Sequence, residues 1–345
     1  MTELSAVHML VFVASLLVIS LVLERLKRSM TRSGRPIDDG DVRNGTAGDC
    51  PETGAEAGAG AKGKMMKTEP VGGLTGPKPF LKWAGGKYRL LPVIRANLPE
   101  DWRELTYFEP FLGGGAVMLG LQPHWPNVND RNHDLIDAFN AVRFQMDLLL
   151  GRLEELWKDL SEERYYEIRG MDREEGFRRL PTYVRAARLI YLNRTCYNGL
   201  YRENSKGRFN VPWGRRTDVK FPSESRFRAV EAYLKREEPS LSCIDFASFL
   251  ANAREGSFVY LDPPYLGGFA GYQSGGFGDV EHLRLRNVFG ELDSRGAKCL
   301  LSYPDNEIVR KLYEGYRMIP VSAPRSISRD GGGRKPVAEL LIRNY

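Results

Sequence analysis

The sequence predicts an α/β fold built around a doubly wound sheet. From residue 79 onward, strand-like runs alternate with helical patterns, and each run ends in a loop rich in glycine, proline or acidic residues. Ligands of open α/β sheets bind in the crevice beyond the carboxyl ends of the strands. We therefore expect the functional residues in these loops.

Six strand-like runs account for the predicted sheet. A glycine loop and a helix follow the first run, and the second is a short strand that ends at Asp130. The third stops at two prolines, which lack the N–H that a strand needs. The last two runs are typical of a closing pair. The runs lie within residues 104–119, 124–144, 257–265, 297–305, 316–324 and 337–345.

Residues 140–250 carry a different pattern, dominated by helices. A basic and aromatic loop, residues 194–222, interrupts the helical stretches. We interpret 140–250 as mostly an insert, a second and smaller domain carried on the sheet. The main domain then comprises residues 79–139 and 251–345. The helical stretches are residues 144–160, 183–193 and 225–237.

The first 78 residues differ from the rest of the chain. Residues 6–23 are almost wholly apolar, about the length of one membrane span, and basic residues follow them. We interpret residues 1–30 either as a single membrane anchor, which would leave the rest in the cytoplasm, or as a stretch outside the working protein. Residues 31–78 are rich in Gly, Ala, Asp and Pro and indicate a disordered linker.

Charge and cysteine content narrow the function classes. The net charge of +6 permits a polyanionic partner, and it belongs to residues 65–345, because residues 1–64 hold eight basic and eight acidic residues. The four cysteines form no C-x-x-C pair and the four histidines no ligand spacing, so neither a disulfide framework nor a metal site is predicted. A reducing cytoplasm fits this composition.

The glycine loop, residues 111–116, indicates a nucleoside cofactor. Glycines between a strand and a helix let a ligand approach backbone N–H groups, and the preceding Glu109 suits a ligand that carries an ammonium group. Downstream, Asp130 can accept both hydroxyls of a ribose or can cap the next helix, a role that Asn132 or Asp134 could also fill. These features do not distinguish NAD from S-adenosylmethionine, although Met118 replaces the third glycine of the dinucleotide fingerprint.

The sequence Asp262-Pro263-Pro264-Tyr265 points to methyl transfer onto an exocyclic amine. The lone pair of such an amine is delocalised into the ring, so acceptors must hold its hydrogens and stabilise the developing positive charge. Asp262 offers a carboxylate, the Pro263 carbonyl a second acceptor, and Tyr265 a face on which a flipped-out base can stack. These residues also suit a turn, but their position after a strand and downstream of the glycine loop favours catalysis.

These residues resemble the Dam family, the D12 class of DNA N6-adenine methyltransferases, whose glycine motif precedes its DPPY motif. The resemblance runs from about residue 80 to residue 345. Residues 80–88 (FLKWAGGKY) resemble the opening motif and residues 107–117 (YFEPFLGGGAV) the cofactor motif. Residues 192–214 resemble the recognition loop. Residues 325–328 (RSIS), together with the later GGGRKPVAELL, resemble the closing hairpin.

The resemblance implies a Rossmann-like S-adenosylmethionine-dependent methyltransferase sheet that carries an inserted, mostly helical target-recognition domain. It implies catalysis by Asp262, Pro263, Pro264 and Tyr265. The implied cofactor residues are Trp83, Lys87, Glu109, Phe111, Gly113, Gly115, Asp130, Asp245, Phe246 and Asp262. The implied DNA-binding residues are Lys82, Tyr197, Asn198, Leu200, Arg202, Arg208 and Arg215.

Two of the implied DNA contacts agree with general rules of base recognition. Arginine bidentate to guanine is the commonest specific contact in the major groove, which suits Arg202, and a leucine such as Leu200 can sense a thymine methyl group. The resemblance also implies that Phe269 and Tyr272 belong to a loop that closes over the flipped base.

The predicted function is methylation of adenine N6 in double-stranded DNA at GATC sites, by base flipping, with S-adenosylmethionine and no metal. A monomer in the cytoplasm is expected, with membrane contact only if residues 6–23 are an anchor. One alternative is the same fold acting on cytosine N4 or on RNA adenine. The other is a non-catalytic DNA-binding relative or, further off, a nicotinamide enzyme.

Overall fold

The structure is a computed structural model that describes residues 76–265, 277–323 and 337–345. All of these residues lie in one unit of the chain, Lys62–Tyr345. Within the described ranges, no helix is both long enough and apolar enough to cross a membrane.

Some expectations fall outside the described residues. They concern the apolar segment 1–30, nearly all of the linker 31–78, the loop residues Phe269 and Tyr272, and the motif at 325–328. These expectations stay predictions.

A seven-stranded sheet organises the described part of the chain. Its strands are β1 (Thr106–Glu109), β2 (Asn127–Asn129), β3 (Ser240–Ser242), β4 (Ser257–Leu261), β5 (Lys298–Pro304), β6 (Arg317–Ala323) and β7 (Val337–Arg343). The spatial order is β3-β2-β1-β4-β5-β7-β6. Neighbours from β3 across to β5 run parallel, whereas β7 runs antiparallel to both β5 and β6. The predicted α/β sheet with its closing pair is therefore confirmed, and β3 is a strand that the sequence analysis missed.

Both faces of the sheet are buried, as the side-chain alternation of β4 illustrates. Phe258 and Tyr260 join one hydrophobic cluster, whereas Val259 and Leu261 join a second cluster. Successive side chains of a strand point to opposite faces, so a strand covered on both sides is apolar throughout. This explains why the run before Asp262 contains no polar alternation.

Helices cover the two faces. The α-helices within the described residues are α1 (Leu91–Arg95), α2 (Ala116–Leu121), α3 (His133–Phe144), α4 (Met146–Trp157), α5 (Glu162–Gly170), α6 (Thr182–Thr195), α7 (Glu224–Glu237), α8 (Phe246–Phe249), α9 (Asp279–Ser294) and α10 (Glu307–Leu312). Short 3-10 turns are Lys87–Leu90, Met171–Arg173, Phe177–Arg179, Tyr197–Gly199 and Leu250–Asn252.

The region predicted as an insert, residues 140–250, holds the end of α3, helices α4 to α8 and strand β3. Helices α4, α6 and α7 match the three predicted helical stretches. Their buried side chains, among them Leu149, Ile190 and Val230, belong to the same hydrophobic cluster as the sheet residue Phe258. A separate target-recognition domain in this region stays a prediction.

The strand order places a topological switch point between β1 and β4. The chain leaves β1 toward β2 and β3 on one side, and it later enters β4 on the other side. In open α/β sheets the ligand crevice lies at such a point, outside the carboxyl ends of the two strands. Glu109 ends β1 and Asp262 directly follows β4, so two acids meet at this crevice.

Candidate active site

Lys87 and Asp262 form the central ion pair of the crevice. Lys87 Nζ lies 2.7 Å from Asp262 Oδ1, and the lysine side chain is 2% exposed. The same ammonium group donates to the Gly85 carbonyl at 2.9 Å and to the Tyr265 hydroxyl. The Tyr265 ring also lies 4.9 Å from Nζ, measured to the ring centroid. One buried lysine therefore joins the opening motif to both ends of the DPPY corner.

The Asp262 carboxyl group is harder to ionise than an ordinary aspartate. Burial raises its pKa to about 6, and the charge of Glu339 adds to the rise, whereas Lys87 opposes it. Of the two prolines that follow, Pro263 is buried and Pro264 is exposed. The corner therefore turns from the core to the surface within two residues.

Glu109 is a buried acid at the end of β1. It is 2% exposed, and its Oε2 accepts a hydrogen bond of 2.7 Å from the Tyr107 hydroxyl. Burial raises the pKa of Glu109 to about 8; the negative charges of Asp262 and Asp130 contribute, and the bond from Tyr107 opposes the rise. Near neutral pH, the side chain of the ligand-free protein is therefore largely protonated, and a nearby cation would favour its ionised form.

Asp130 connects β2 to the glycine loop. Its Oδ2 accepts from the Gly113 N–H at 2.8 Å and its Oδ1 from the Asn132 N–H at 2.9 Å. Burial raises the pKa of Asp130 to about 6, although both backbone bonds lower it. The cap of α3 is Asn132, which accepts from the N–H groups of Asp134 and Leu135. The sequence left open which residue caps this helix, and the structure shows that Asp130 does not.

The glycine loop needs its glycines for space and for backbone conformation. Gly113 has a φ of +50°, and a Cβ there would lie 3.0 Å from Trp83 Cδ1. Gly115 has a φ of +70°, and a Cβ there would lie 2.7 Å from Phe139 Cζ. Trp83 thus packs directly on the glycine loop.

Aromatic rings form one wall beside this loop. Phe111 lies 5.5 Å from Phe246 and 5.5 Å from Phe277, centroid to centroid. The neighbouring Asp245 caps α8 through the Ala247 N–H and pairs with Arg284. The structure therefore places Phe246 next to Phe111, another predicted cofactor residue. The carboxylate of Asp245 is instead held by the backbone of α8 and by Arg284.

The predicted recognition loop forms a hairpin-like turn. Glu203 and Phe209 bridge its two arms, and the Asn210 N–H donates to the Arg202 carbonyl at 3.0 Å. The Arg202 guanidinium donates to Asn210 Oδ1 at 2.7 Å. Arg208 lines a cavity of about 350 Å³ with Lys206 and several other residues.

The base of this hairpin presents an aromatic ring to the surface. Tyr197 is 49% exposed, and the adjacent Asn198 is exposed with a φ of +56°. Leu200 is half-buried against the first hydrophobic cluster. Further along, Arg215 is exposed with a φ of +55°.

A buried asparagine ties this loop to the opening motif. Asn193 Oδ1 accepts from the Lys82 N–H at 2.9 Å, and its Nδ2 donates to the Lys82 carbonyl at 2.7 Å. Nδ2 also reaches the Gly199 carbonyl at 3.3 Å. The Lys82 side chain is exposed. The rings of Trp83 and Tyr201 lie 5.2 Å apart, so the loop also packs on the cofactor side of the site.

Three of the residues that organise the site were not singled out in the sequence. They are Asn193, Tyr107 and Glu339, each buried and each hydrogen-bonded to a predicted site residue. A polar residue inside an apolar run was the available signal for Glu339, which sits in the strand sequence VAELLIR. Among the described residues, no group of three or more His, Cys, Asp or Glu is arranged to hold a metal ion.

Comparison with known proteins identifies the family of this chain. Residues 83–327 match the model of the D12 class of N6 adenine-specific DNA methyltransferases. A type II methyltransferase, M.MjaIII of Methanocaldococcus jannaschii, is 39% identical over 289 residues, which cover 78% of this chain and 99% of the relative.

Two further relatives extend this result. The type II methyltransferase M1.LlaDCHI of Lactococcus lactis is 34% identical over 273 residues, 78% of this chain and 95% of the relative. The DNA adenine methylase of Escherichia coli is 35% identical over 267 residues, 76% of this chain and 93% of the relative. The chain therefore belongs to the D12 class of N6 adenine-specific DNA methyltransferases and is a DNA adenine methyltransferase.

Proposed function

We propose that this enzyme transfers a methyl group from S-adenosylmethionine to adenine N6 at GATC sites of double-stranded DNA, acting on a base flipped out of the helix. The observation that carries the proposal is the Lys87–Asp262–Tyr265 group beside the buried Glu109 and the half-buried Asp130. It combines acceptors for an exocyclic amine with a crevice suited to a cationic cofactor.

The donor set of the crevice fits S-adenosylmethionine. When bound, that cofactor supplies a methyl group on a positively charged sulfur, and it also carries an ammonium group. The negative charges of Asp130 and Asp262 both act on the Glu109 carboxyl, and the buried ammonium of Lys87 pairs with Asp262. A cation relieves the repulsion between these negative charges, whereas the phosphates of a nicotinamide dinucleotide would increase it.

The remaining cofactor contacts follow from neighbouring residues. Asp130 holds the glycine loop and can accept from ribose hydroxyls, and Gly113 and Gly115 allow close approach to the backbone. Trp83, Phe111 and Phe246 would line the site, and the lone hydroxyl of Tyr260, buried without a partner among the described residues, would face a polar ligand.

Methyl transfer would be supported by the acceptors of the DPPY corner. Lys87 holds Asp262 Oδ1, and among the described residues Oδ2 has no hydrogen-bond partner, so Oδ2 can accept from the adenine amine. The Pro263 carbonyl would accept the second amine hydrogen. As the nitrogen–methyl bond forms and the carbon–sulfur bond breaks, positive charge develops on N6 against the Asp262 carboxylate, and the proton leaves afterwards.

The recognition loop supports a role in DNA binding. Tyr197 is half exposed at its base, where an aromatic ring could fill the gap that a flipped base leaves in the stack. We assign Leu200 and Arg202 to base reading, because leucine and arginine suit the thymine methyl group and guanine. Backbone contacts are assigned to Lys82, Asn198, Arg208 and Arg215, and the active form is proposed to be a monomer.

Label transfer to a panel of duplexes tests the proposal. The full chain is incubated with methyl-labelled S-adenosylmethionine and oligonucleotides that contain one GATC, one of its single-base variants, or no adenine in that frame. Label on the GATC duplex alone supports the proposal. Label on other adenines would retain adenine methylation and remove GATC as the site, and label on cytosine or only on RNA would favour the alternative substrates.

An Arg202→Ala variant sharpens the test of the reader residues. Loss of a bidentate contact to guanine should cost about 1–3 kcal/mol of discrimination. The variant should therefore show a smaller preference for GATC over sites in which another base replaces the guanine. Equal selectivity of variant and wild type would remove Arg202 from the reading role.

A further inference from the structure

Glu339 is a buried acid that faces the active site from the closing strand pair. It lies in β7, is 8% exposed, and its Oε2 accepts from the Ser302 hydroxyl at 3.2 Å. Its Oε1 lies 3.5 Å from the Tyr265 hydroxyl. The proposed transfer chemistry gives Glu339 no role, although its charge acts on both Asp262 and Tyr265.

We propose that Glu339 is a positioning residue for methyl transfer. It fixes the Tyr265 hydroxyl and, through it, the ring that stacks on the target base and the lysine that holds Asp262. This inference rests on the proposed function, because it assumes that Tyr265 and Asp262 act on the flipped adenine.

The direction of the hydrogen bonds carries the argument. The Lys87 ammonium can only donate, so the Tyr265 hydroxyl must accept from it. The single proton of that hydroxyl is then directed away from the lysine, and the Glu339 carboxylate is the acceptor that meets it. Ser302, which is fully buried, holds the other carboxylate oxygen in place. Donation therefore runs from Lys87 through Tyr265 to Glu339, and Ser302 donates to the same carboxylate from its other side.

Tyr265 needs such support because of its place in the chain. It stands four residues beyond the end of β4, after the exposed Pro264, and it is itself half-buried. The Tyr303 ring packs against it at 5.8 Å between centroids. A stacking platform must keep its orientation to be effective, since small displacements of catalytic groups are costly. Glu339 connects this platform to two paired strands of the sheet.

The charge of Glu339 gives a second, independent readout. The ionisable groups that act on Asp262 are Lys87, which lowers the pKa of its carboxyl, and Glu339, which raises it; Asp262 in turn raises the pKa values of Glu109, Tyr260 and Tyr265. Replacing Glu339 by glutamine keeps an acceptor for Tyr265 and removes the negative charge. The acidic limb of the pH–rate profile should then move to lower pH.

The test compares Glu339→Leu, Glu339→Gln, Tyr265→Phe and the Glu339→Leu/Tyr265→Phe double variant of the full chain. We expect Glu339→Leu to lower kcat about tenfold or more with little change in KM for DNA or cofactor. Glu339→Gln should recover most of kcat and shift the acidic limb. If Glu339 and Tyr265 act through the hydrogen bond between them, the double variant should be no slower than the slower single variant.

Glu237→Leu is the matched control, because Glu237 is a similarly buried acid on α7, 5% exposed and paired with His124 and Arg236. It should lose stability and keep wild-type kcat. The inference would be overturned if the kcat losses of the two single variants multiplied in the double variant. An acidic limb that did not shift in Glu339→Gln would also overturn it. If the wild type labels no adenine, the proposed function fails; if the wild type is active and Glu339→Leu matches it, this inference alone fails.

Discussion

Cofactor binding should expel a proton from Glu109. The perturbation is the arrival of the cofactor's ammonium group beside a carboxyl whose pKa burial raises to about 8. In the ligand-free protein at pH 7, about nine-tenths of this carboxyl is protonated. A nearby cation stabilises the ionised form, so binding must remove that proton. Asp130 and Asp262, with pKa values of about 6, are already mostly ionised at pH 7 and contribute little.

The size of the effect follows from the pKa of Glu109. Removing its proton costs about 1.4 kcal/mol for each pH unit below the pKa. The dissociation constant for the cofactor should therefore rise about fivefold from pH 8 to pH 7, because half of the Glu109 carboxyl is already protonated at pH 8, and about tenfold more from pH 7 to pH 6. Below pH 6 the dependence should steepen, because Asp130 and Asp262 begin to protonate as well.

Isothermal titration calorimetry in buffers of different ionisation enthalpy measures this proton directly. At pH 7 the wild type should release close to one proton more than Glu109→Gln, whose amide can still accept from Tyr107. The amine of the cofactor titrates equally in both proteins, so the difference isolates Glu109. Equal proton release by the two proteins at pH 7 would refute the assignment of Glu109 to the cofactor's ammonium group.

Two further predictions concern the scaffold of the site. Gly115→Ala should lower the free energy of unfolding by about 1–3 kcal/mol, because φ is +70° and the new Cβ would lie 2.7 Å from Phe139 Cζ. Gly151→Ala, which has open space around it, is the control; equal denaturation midpoints for the two variants would contradict this account. Asn193→Ala should leave the backbone N–H and C=O of Lys82 unpaired, which should lower the free energy of unfolding by about 2–4 kcal/mol in chemical denaturation. The variant should also bind DNA more weakly in a fluorescence titration. Unchanged DNA affinity in a folded variant would show that Asn193 does not position Lys82 for DNA binding.

The elements at the switch point could be predicted because local chemistry determines them. The apolar run of β4 has to stop at Pro263, which has no N–H, and the glycine turn after β1 requires positive φ at Gly113 and Gly115. Such signals lie within a few residues of the feature that they predict. The same holds for Asn132, whose side chain caps the helix that begins at the next residue.

The residues that sequence reasoning missed act over long separations. Asn193 meets Lys82 across 111 positions, and Glu339 meets Tyr265 across 74. No spacing rule joins such pairs, because only the folded sheet brings them together. The edge strand β3 was missed because three residues, Ser240–Ser242, carry too little pattern to distinguish a strand from a loop.

The most direct test of the central claim is the nucleoside product of wild type and Asp262→Ala. Both proteins are incubated with methyl-labelled S-adenosylmethionine and a GATC duplex, and the digested nucleosides are separated and identified. The account predicts label in N6-methyladenine for the wild type, none for Asp262→Ala, and retained though weaker cofactor binding by the variant. Label in another nucleoside, or turnover by Asp262→Ala at the wild-type rate, would contradict it.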